Sequence, residues 1–384
     1  YTRLNQAPLS FQVALPFTRN GAVASNPDAD QQTLQQLIER MDSERGPRWA
    51  SGNLFVVPEP IRSLPQKLLL RQMVLPKVAS DSYTELANGL NELIRQHWEA
   101  SRDPNRAASL RALIGRTPGD RDRWLQFDAK HDGVHGMVAG GTGAGKSELL
   151  MTLIMHLAMS YDPSVLNFVL VDFKGGGAFK PFENLPHCVN LLTNLNAAAV
   201  RRMFTAINAE LDRRQRINAE RKVSDLVELR KKFPNDPILY PHLFIIIDEY
   251  AEMIEPNPEF RADLDRITRV GRSVGVNLLL ASQRPTGVTD QMRANIKLRI
   301  CLRVENADIS REVLRRSDAA FLPNNTPGRG YVQVGNDAIG LIQVAFAGDE
   351  ISHPDGNVKF FELAVKQICD LHQKQGGTRP SAPW

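Results

Sequence analysis

From about residue 130 onward, short apolar runs alternate with longer amphipathic stretches. Val134 to Val138, Asn167 to Asp172, Leu243 to Asp248, Val276 to Ala281 and Lys297 to Val304 read as successive strands. Their near-continuous apolar character is that of parallel strands covered on both faces. Between them, Glu148 to Met159 has the composition of a buried helix, Ala197 to about Lys232 that of a long charged helix or helix pair, and Phe260 to Ser273 that of another helix. The pattern predicts an α/β fold, a mostly parallel sheet with helices on both faces. Tyr331 to Val334 and Ile339 to Phe346, joined by Gly335-Asn336-Asp337, predict a hairpin at the sheet's edge.

The first 130 residues follow another pattern. Leu9 to Ala14 is similar to Leu341 to Ala345, and each is followed by a polar loop and an amphipathic helix, Thr33 to Met41 in one case and Phe360 to His372 in the other. Residues 1–55 are therefore expected to be the trailing edge of a preceding copy of the same kind of domain, with chance similarity of two strand-helix units as the alternative. Residues 56–128, with several prolines and helical patterns at Tyr83 to Trp98 and Ser109 to Ile114, are expected to be a connector with helices. That leaves 129–350 as the main domain and 351–384 as a C-terminal helix and linker. Because the chain begins at Tyr1, it is expected to be a piece of something longer.

Composition narrows the classes without choosing among them. The 384 residues are 42% hydrophobic and 23% charged, which excludes collagen, coiled coil or disorder as a description of the whole. A formal net charge of +4 does not mark a nucleic-acid binder. Cys188, Cys301 and Cys369 lack metal-ligand spacing, and three scattered cysteines fit a reducing compartment. His131, His135 and His187 also lack such spacing, so structural roles are expected for them.

The chemistry is concentrated in two strings. Gly140-x-x-x-x-Gly145-Lys146-Ser147 is a complete Walker A motif, with a strand before it and a helix after. Backbone N–H groups of such a loop close around phosphates, aided by the helix N-terminus. Gly141, Thr142, Gly143, Ala144, Gly145, Lys146, Ser147 and Glu148 are the expected ATP-binding residues. Lys146 would reach the β and γ oxygens, and Ser147 would ligate Mg²⁺. Asp248-Glu249, ending four apolar residues, has the Walker B arrangement, with Asp248 expected in the Mg²⁺ shell and Glu249 polarising the attacking water. Gln283, at the tip of the fourth strand, is expected to contact the γ-phosphate or that water.

Taken with their flanks, these motifs resemble the FtsK/SpoIIIE superfamily of RecA-like motor ATPases, and within it the type VII secretion ATPases of the EccC/EssC kind. The resemblance covers roughly residues 130–350. It rests on Gly141 to Leu150, on Asp172-Phe173-Lys174-Gly175-Gly176-Gly177-Ala178-Phe179, on Thr193-Asn194-Leu195, on Gly271-Arg272-Ser273-Val274-Gly275, on Ser282-Gln283-Arg284-Pro285 and on Pro327-Gly328-Arg329-Gly330-Tyr331. Arg315-Arg316-Ser317-Asp318-Ala319 departs from the secretion branch, which commonly has Gly-Val-Pro-Asp-Ala there.

The resemblance implies an ATP-hydrolysing motor of a type VII secretion system that exports small helical proteins. It also implies location at the cytoplasmic face of a membrane secretion complex, and assembly with copies of itself in a ring, such as a hexamer, or with tandem ATPase domains. In such rings an arginine from the neighbouring subunit completes the site, so an isolated domain is expected to be a slow enzyme. Arg202 is the first candidate, with Arg201, Arg213, Arg214 and Arg272 as rivals. A double-stranded DNA translocase is the alternative reading, and a scaffold that holds ATP without turnover is a third. Between Arg201 and Lys232 there are ten Lys/Arg and five Asp/Glu, an interspersion expected of a solvated helix face more than of a DNA-binding stripe.

Overall fold

The computed structural model describes residues 64–380 except 79–80, 174–176, 194–195 and 237–238, together with two short strands at Thr18–Arg19 and Ala22–Val23 that pair with each other. The proposed repeat and the helix at Thr33 to Met41 lie outside the described residues, as do Gly175-Gly176 and Asn194-Leu195. Residues 63–384 form one compact unit, separate from 1–62.

The strands of the central sheet are β1 Leu110–Thr117, β2 Arg121–Phe127, β3 His135–Ala139, β4 Leu166–Asp172, β5 Cys188–Thr193, β6 His242–Asp248, β7 Val276–Ser282, β8 Ile296–Leu302, β9 Arg329–Val334 and β10 Gly340–Val344. Their order is β2-β1-β10-β9-β8-β3-β7-β6-β4-β5. From β8 through β5 every neighbouring pair is parallel. From β8 outward through β9, β10, β1 and β2 every pair is antiparallel. The parallel part follows from the apolar runs. In β4, β6 and β7 every residue is buried, as strands with helices on both faces require.

Two expectations are corrected here. Ser109 to Ile114 was expected to be helical, because Leu110, Leu113 and Ile114 have the i, i+3, i+4 spacing, yet it lies in an extended ladder that pairs Leu110 with Phe127 and Thr117 with Arg121. The determinants are Pro118, Gly119 and Asp120. The last two take left-handed φ values of 84° and 59°, reversing the chain into a second strand that a helix could not have joined. The 56–128 segment thus supplies two strands as well as helices. Consequently the β9–β10 hairpin is not at the edge, since β1 pairs with β10 and β2 lies outside it. The approach is close enough that a Cβ at Gly115 would stand 2.0 Å from the Gln343 carbonyl oxygen, so β1 needs glycine there.

Helices cover the two faces. One side carries α1 Leu70–Val74, α2 Tyr83–Ser101, α3 Lys146–Ser160 and α10 Phe360–Lys374, which share a core with one face of the sheet. Buried Trp98 of α2 donates to the Ala158 carbonyl of α3 at 2.9 Å. The other side carries α4 Ala197–Glu220, α5 Leu226–Lys232, α6 Tyr250–Ile254, α7 Arg261–Val270 and α8 Asp290–Asn295, while α9 Ala307–Leu314 forms a smaller core with Cys301 of β8. The charged stretch after Ala197 is therefore a helix pair. Among the described residues, no helix is long and apolar enough to cross a membrane.

Candidate functional site

The six parallel strands all point their carboxyl ends toward the same edge, and β7 lies between β3 and β6. The loop after β3, the carboxylates ending β6 and the Ser282-Gln283 tip of β7 are therefore adjacent, where ligands of open α/β sheets bind.

The loop 140–145 is held from behind by backbone hydrogen bonds. Gly140 N–H donates to the Ser282 carbonyl at 3.3 Å, and Gly141 N–H to that of Arg303 at 2.8 Å. Gly328 N–H donates to the Ala144 carbonyl at 2.8 Å. Gly145 caps α3 with φ 95°, and a Cβ there would lie 2.6 Å from the Gly328 nitrogen, so both conformation and contact require glycine. Thr142 and Gly143 at the loop's tip are exposed, as is Ser147 in the first turn of α3.

Lys146 is buried at the start of α3, its ammonium hydrogen-bonded to Asp248 and 2.8 Å from Glu249 Oε1. Asp248 Oδ1 also accepts from Glu249 N–H at 3.0 Å. Glu249 takes a left-handed φ of 57° where β6 turns into α6, a conformation that costs a side-chain-bearing residue about 1 kcal/mol or more. Its Oε2 accepts from Gln283 N–H at 3.3 Å, and the Gln283 side-chain carbonyl accepts from Thr142 Oγ1 at 3.5 Å. Lys146, Asp248, Glu249, Gln283 and Thr142 therefore form one connected group.

Asp172 was quoted in a motif but given no site role. It ends β4 buried, in register with Asp248 on β6. The signal was available, since its apolar run stops at an aspartate just as β6 does. Burial pushes the Asp248 carboxyl above its ordinary range; Lys146 opposes the shift, and the nearby Glu249 and Asp172 add to it. Two carboxylates, Asp248 and Glu249, hold the Lys146 ammonium, and Asp172 lies beside Asp248. Among the described residues no three such side chains are grouped as a metal site, so a divalent cation here would take ligands from its nucleotide and water as well. Ser147 and Asp248 have the chemistry to hold Mg²⁺ at this place.

Two clefts flank the loop. One, of about 270 Å³, is lined by Gly141, Glu249, Glu252, Glu255, Gln283 and Glu305, among others, and by the cationic Arg284. The other, of about 350 Å³, lies on the far side, between the loop and the chain around residues 66–68 and 325–346. Glu148 lines this second cleft, and burial raises its carboxyl above the usual range.

The candidate arginines separate by environment. Arg214 is fully buried against Glu210 and Tyr240, Arg213 is paired with Glu210, and Arg201 with Glu259. Arg202 is exposed in the first turns of α4, and Arg272 lines a cavity at the opposite end of the sheet, beside His242 and Asn277. Neither belongs to the clefts around Lys146.

Residues 99–287 match the model of the FtsK/SpoIIIE family. The ESX secretion system protein EccC of Geobacillus thermodenitrificans is 39% identical over 293 residues, which is 74% of this chain and 19% of that protein. The chain thus spans less than a fifth of that curated relative. The cytoplasmic domain of the type VII secretion ATPase EccC from Thermomonospora curvata superposes with a TM-score of 0.65 at 36% identity, over 72% of this chain and 32% of that one. Thermomonospora curvata EccC (ATPases 2 and 3), solved in complex with a signal sequence peptide, superposes with a TM-score of 0.59 at 25% identity, over 72% and 49%. The mostly parallel sheet with the loop after β3 is the RecA-like P-loop arrangement of these proteins.

Proposed function

The chain carries an FtsK/SpoIIIE-family domain over residues 99–287, and from that premise we propose that it is an ATP-hydrolysing motor domain of a type VII secretion system. The observation that carries the hydrolytic reading is the convergence of Lys146, Asp248 and Glu249 behind the phosphate loop. The secretion reading rests on the likeness to EccC, whose relative in complex with a signal sequence peptide makes small helical proteins bearing such a signal the expected cargo.

The reaction transfers the γ-phosphoryl group of ATP to water. Loop N–H groups and the α3 N-terminus bind the phosphates. Lys146 leaves its carboxylate partners to neutralise the β and γ oxygens. Ser147 and Asp248 would hold Mg²⁺, which would supply neutralisation of phosphate charge there. Freed of Lys146, Glu249 accepts a hydrogen bond from the attacking water and polarises it, and Gln283 positions that water from the tip of β7. Arg202, exposed and outside its own cleft, is the residue proposed to reach the acidic cleft of a neighbouring copy or tandem domain in a ring at the membrane.

The DNA-translocase reading has less support. Of the basic residues on α4 and α5, Arg214 is buried, exposed Arg201, Arg213 and Lys232 are each paired with a glutamate, and Arg221 just after α4 is paired with Asp236, which describes a solvated face of paired charges. The deciding experiment is ATP turnover of the full-length assembly with a signal-bearing substrate protein or with duplex DNA. Stimulation by the protein substrate is expected, and stimulation by DNA alone overturns the secretion reading. Arg202→Ala should leave ATP affinity within about twofold while lowering assembled turnover by about 10³-fold. Mixing Arg202→Ala with Glu249→Gln subunits should restore part of the activity; no rescue removes Arg202 from this role.

A further inference from the structure

β6 and β7 are wholly buried, yet each carries a polar side chain at its start, His242 in the first and Asn277 in the second. The two share a face of the sheet. Asn277 stands directly across from Phe244, which follows His242 by two positions, and residues two apart on a strand project the same way. Both line a cavity of about 400 Å³ at the amino ends of the parallel strands, the end of the sheet opposite to the phosphate loop. That volume lies within the range of small-molecule sites, roughly 300–1,000 Å³.

Each of these side chains gives one polar atom to the backbone and leaves another unused. His242 Nε2 lies 2.8 Å from the Ala107 carbonyl oxygen, which only accepts, so Nε2 carries the proton. Burial pushes the imidazole pKa down to about 3, which keeps the ring neutral at pH 7 with Nδ1 as a bare acceptor. Asn277 Nδ2 donates to the Val134 carbonyl at 3.0 Å, which leaves Oδ1 as an acceptor. His242 is 6% exposed and Asn277 2%, and neither Nδ1 nor Oδ1 has a hydrogen-bond partner. Two unpaired acceptors on one buried face call for a ligand that donates.

The charged lining has the opposite character. Lys130, Lys231 and Arg272 line the cavity and are exposed, and among the described residues no ion pair engages any of the three. Asp128 and Asp225 line it too, but both are committed to the chain. Asp128 accepts from the Lys130 and His131 N–H groups at 2.8 and 3.0 Å, and Asp225 from Glu228 N–H at 2.8 Å. Phe127, Val134 and Leu226 supply apolar wall.

We infer that this cavity binds a small organic anion, whose charged group meets Lys130, Lys231 and Arg272, whose body packs on Phe127, and whose N–H or O–H groups donate to His242 Nδ1 and Asn277 Oδ1. The site is separate from the phosphate loop and does not depend on the ATPase reading.

The test is calorimetric binding of four probes to the 384-residue chain and its variants. 4-Aminobenzoate has an anion at one end and donors at the other. 4-Methoxybenzoate keeps shape and charge without a donor, 4-aminobenzamide keeps the donor without the charge, and 4-aminophenyl phosphate exchanges the anionic group. The aminobenzoate or the phosphate should bind at millimolar concentration, the tighter of the two identifying the anion, and the methoxy and amide probes should be about tenfold weaker. Lys231→Ala combined with Arg272→Ala, both at exposed positions, should remove the advantage of acid over amide. Asn277→Leu and His242→Phe should each reduce the advantage of amino over methoxy; if either melts early, the exposed double variant still decides. Saturating ATP with Mg²⁺ should leave probe affinity unchanged, and displacement by ATP would move the probe to the phosphate loop and overturn the assignment. Equal affinity for all four probes, variants that change nothing, or no binding at millimolar concentration also overturns it, leaving the two acceptors to water alone.

Discussion

On one side of the loop Gly140 to Ser147 stand Glu249, Glu252, Glu255 and Glu305; on the other stand Leu68, Pro327, Val344 and Phe346. The acidic cleft concentrates like charge in a place where Asp248 is already hard to ionise, which favours binding of cations and of phosphate already neutralised by them. The apolar cleft offers a surface and one unsatisfied acceptor. Under the proposed ATPase reading, the acidic side would set the barrier of the reaction, and the loop with Lys146 the ground-state affinity. Variants should therefore sort into two kinetic classes.

The largest test of that division is Glu249→Gln. Steady-state turnover of the assembled protein should fall about 10²- to 10⁴-fold, with ATP affinity held within a few-fold, because the amide keeps the contact and loses the basic oxygen. A matching loss of affinity would erase it. Next in size, Lys146→Ala should weaken both ATP and tripolyphosphate about 100-fold in calorimetry, since it removes a charge-assisted contact that both ligands share. Survival of tripolyphosphate binding would place the phosphates elsewhere.

Gly145→Ala probes the boundary shared by the loop and the apolar side. A left-handed φ of 95° and a Cβ pressed to 2.6 Å from Gly328 nitrogen should cost about 2 kcal/mol, read as a melting midpoint lower by several degrees, with weaker ATP binding in proportion. An unchanged midpoint would mean that the loop and residue 328 move apart without cost.

The smallest effect concerns Asp248, whose burial raises its pKa in the folded state. A carboxyl raised on folding stabilises the fold when protonated, and that contribution is lost as pH rises through the folded value. Asp248→Asn should therefore raise the melting midpoint of the nucleotide-free chain at pH 7 by a few degrees, with the gain over wild type shrinking as pH falls toward about 4. A gain independent of pH would show that packing, and not charge, is responsible.

The acidic side was legible because its parts are contiguous strings placed by strong local rules. An apolar run ending in Asp248-Glu249 can only be a buried strand delivering carboxylates to its end, and Gly145-Lys146-Ser147 after a strand opens a helix. Gln283 followed from the same logic at the tip of β7. Asp172 could have been found by it too, once β4 was set beside β6. The convergence on Lys146 still needed the strand order, because nothing in the spacing of 146, 248 and 249 says that β7 alone separates β3 from β6.

The apolar cleft had no such string. Its walls come from residues near 67, 148, 327 and 346, brought together by backbone bonds between Leu68, Leu70 and Phe346 and by the Gln343–Arg329 pair. The strand Leu110–Thr117 was misread for a related reason, since three apolar residues spaced for a helix face were outweighed by a reversal at Gly119-Asp120 and by pairing with β10. By itself the sequence determined the parallel strands and where the loop 140–145, Lys146 and the carboxylates Asp248 and Glu249 stand on them, because burial period and loop stereochemistry act within a few residues. Only the tertiary structure decided which strands adjoin, that the hairpin β9–β10 is interior, and that an apolar pocket backs the loop, because pairing and enclosure depend on contacts between residues hundreds of positions apart.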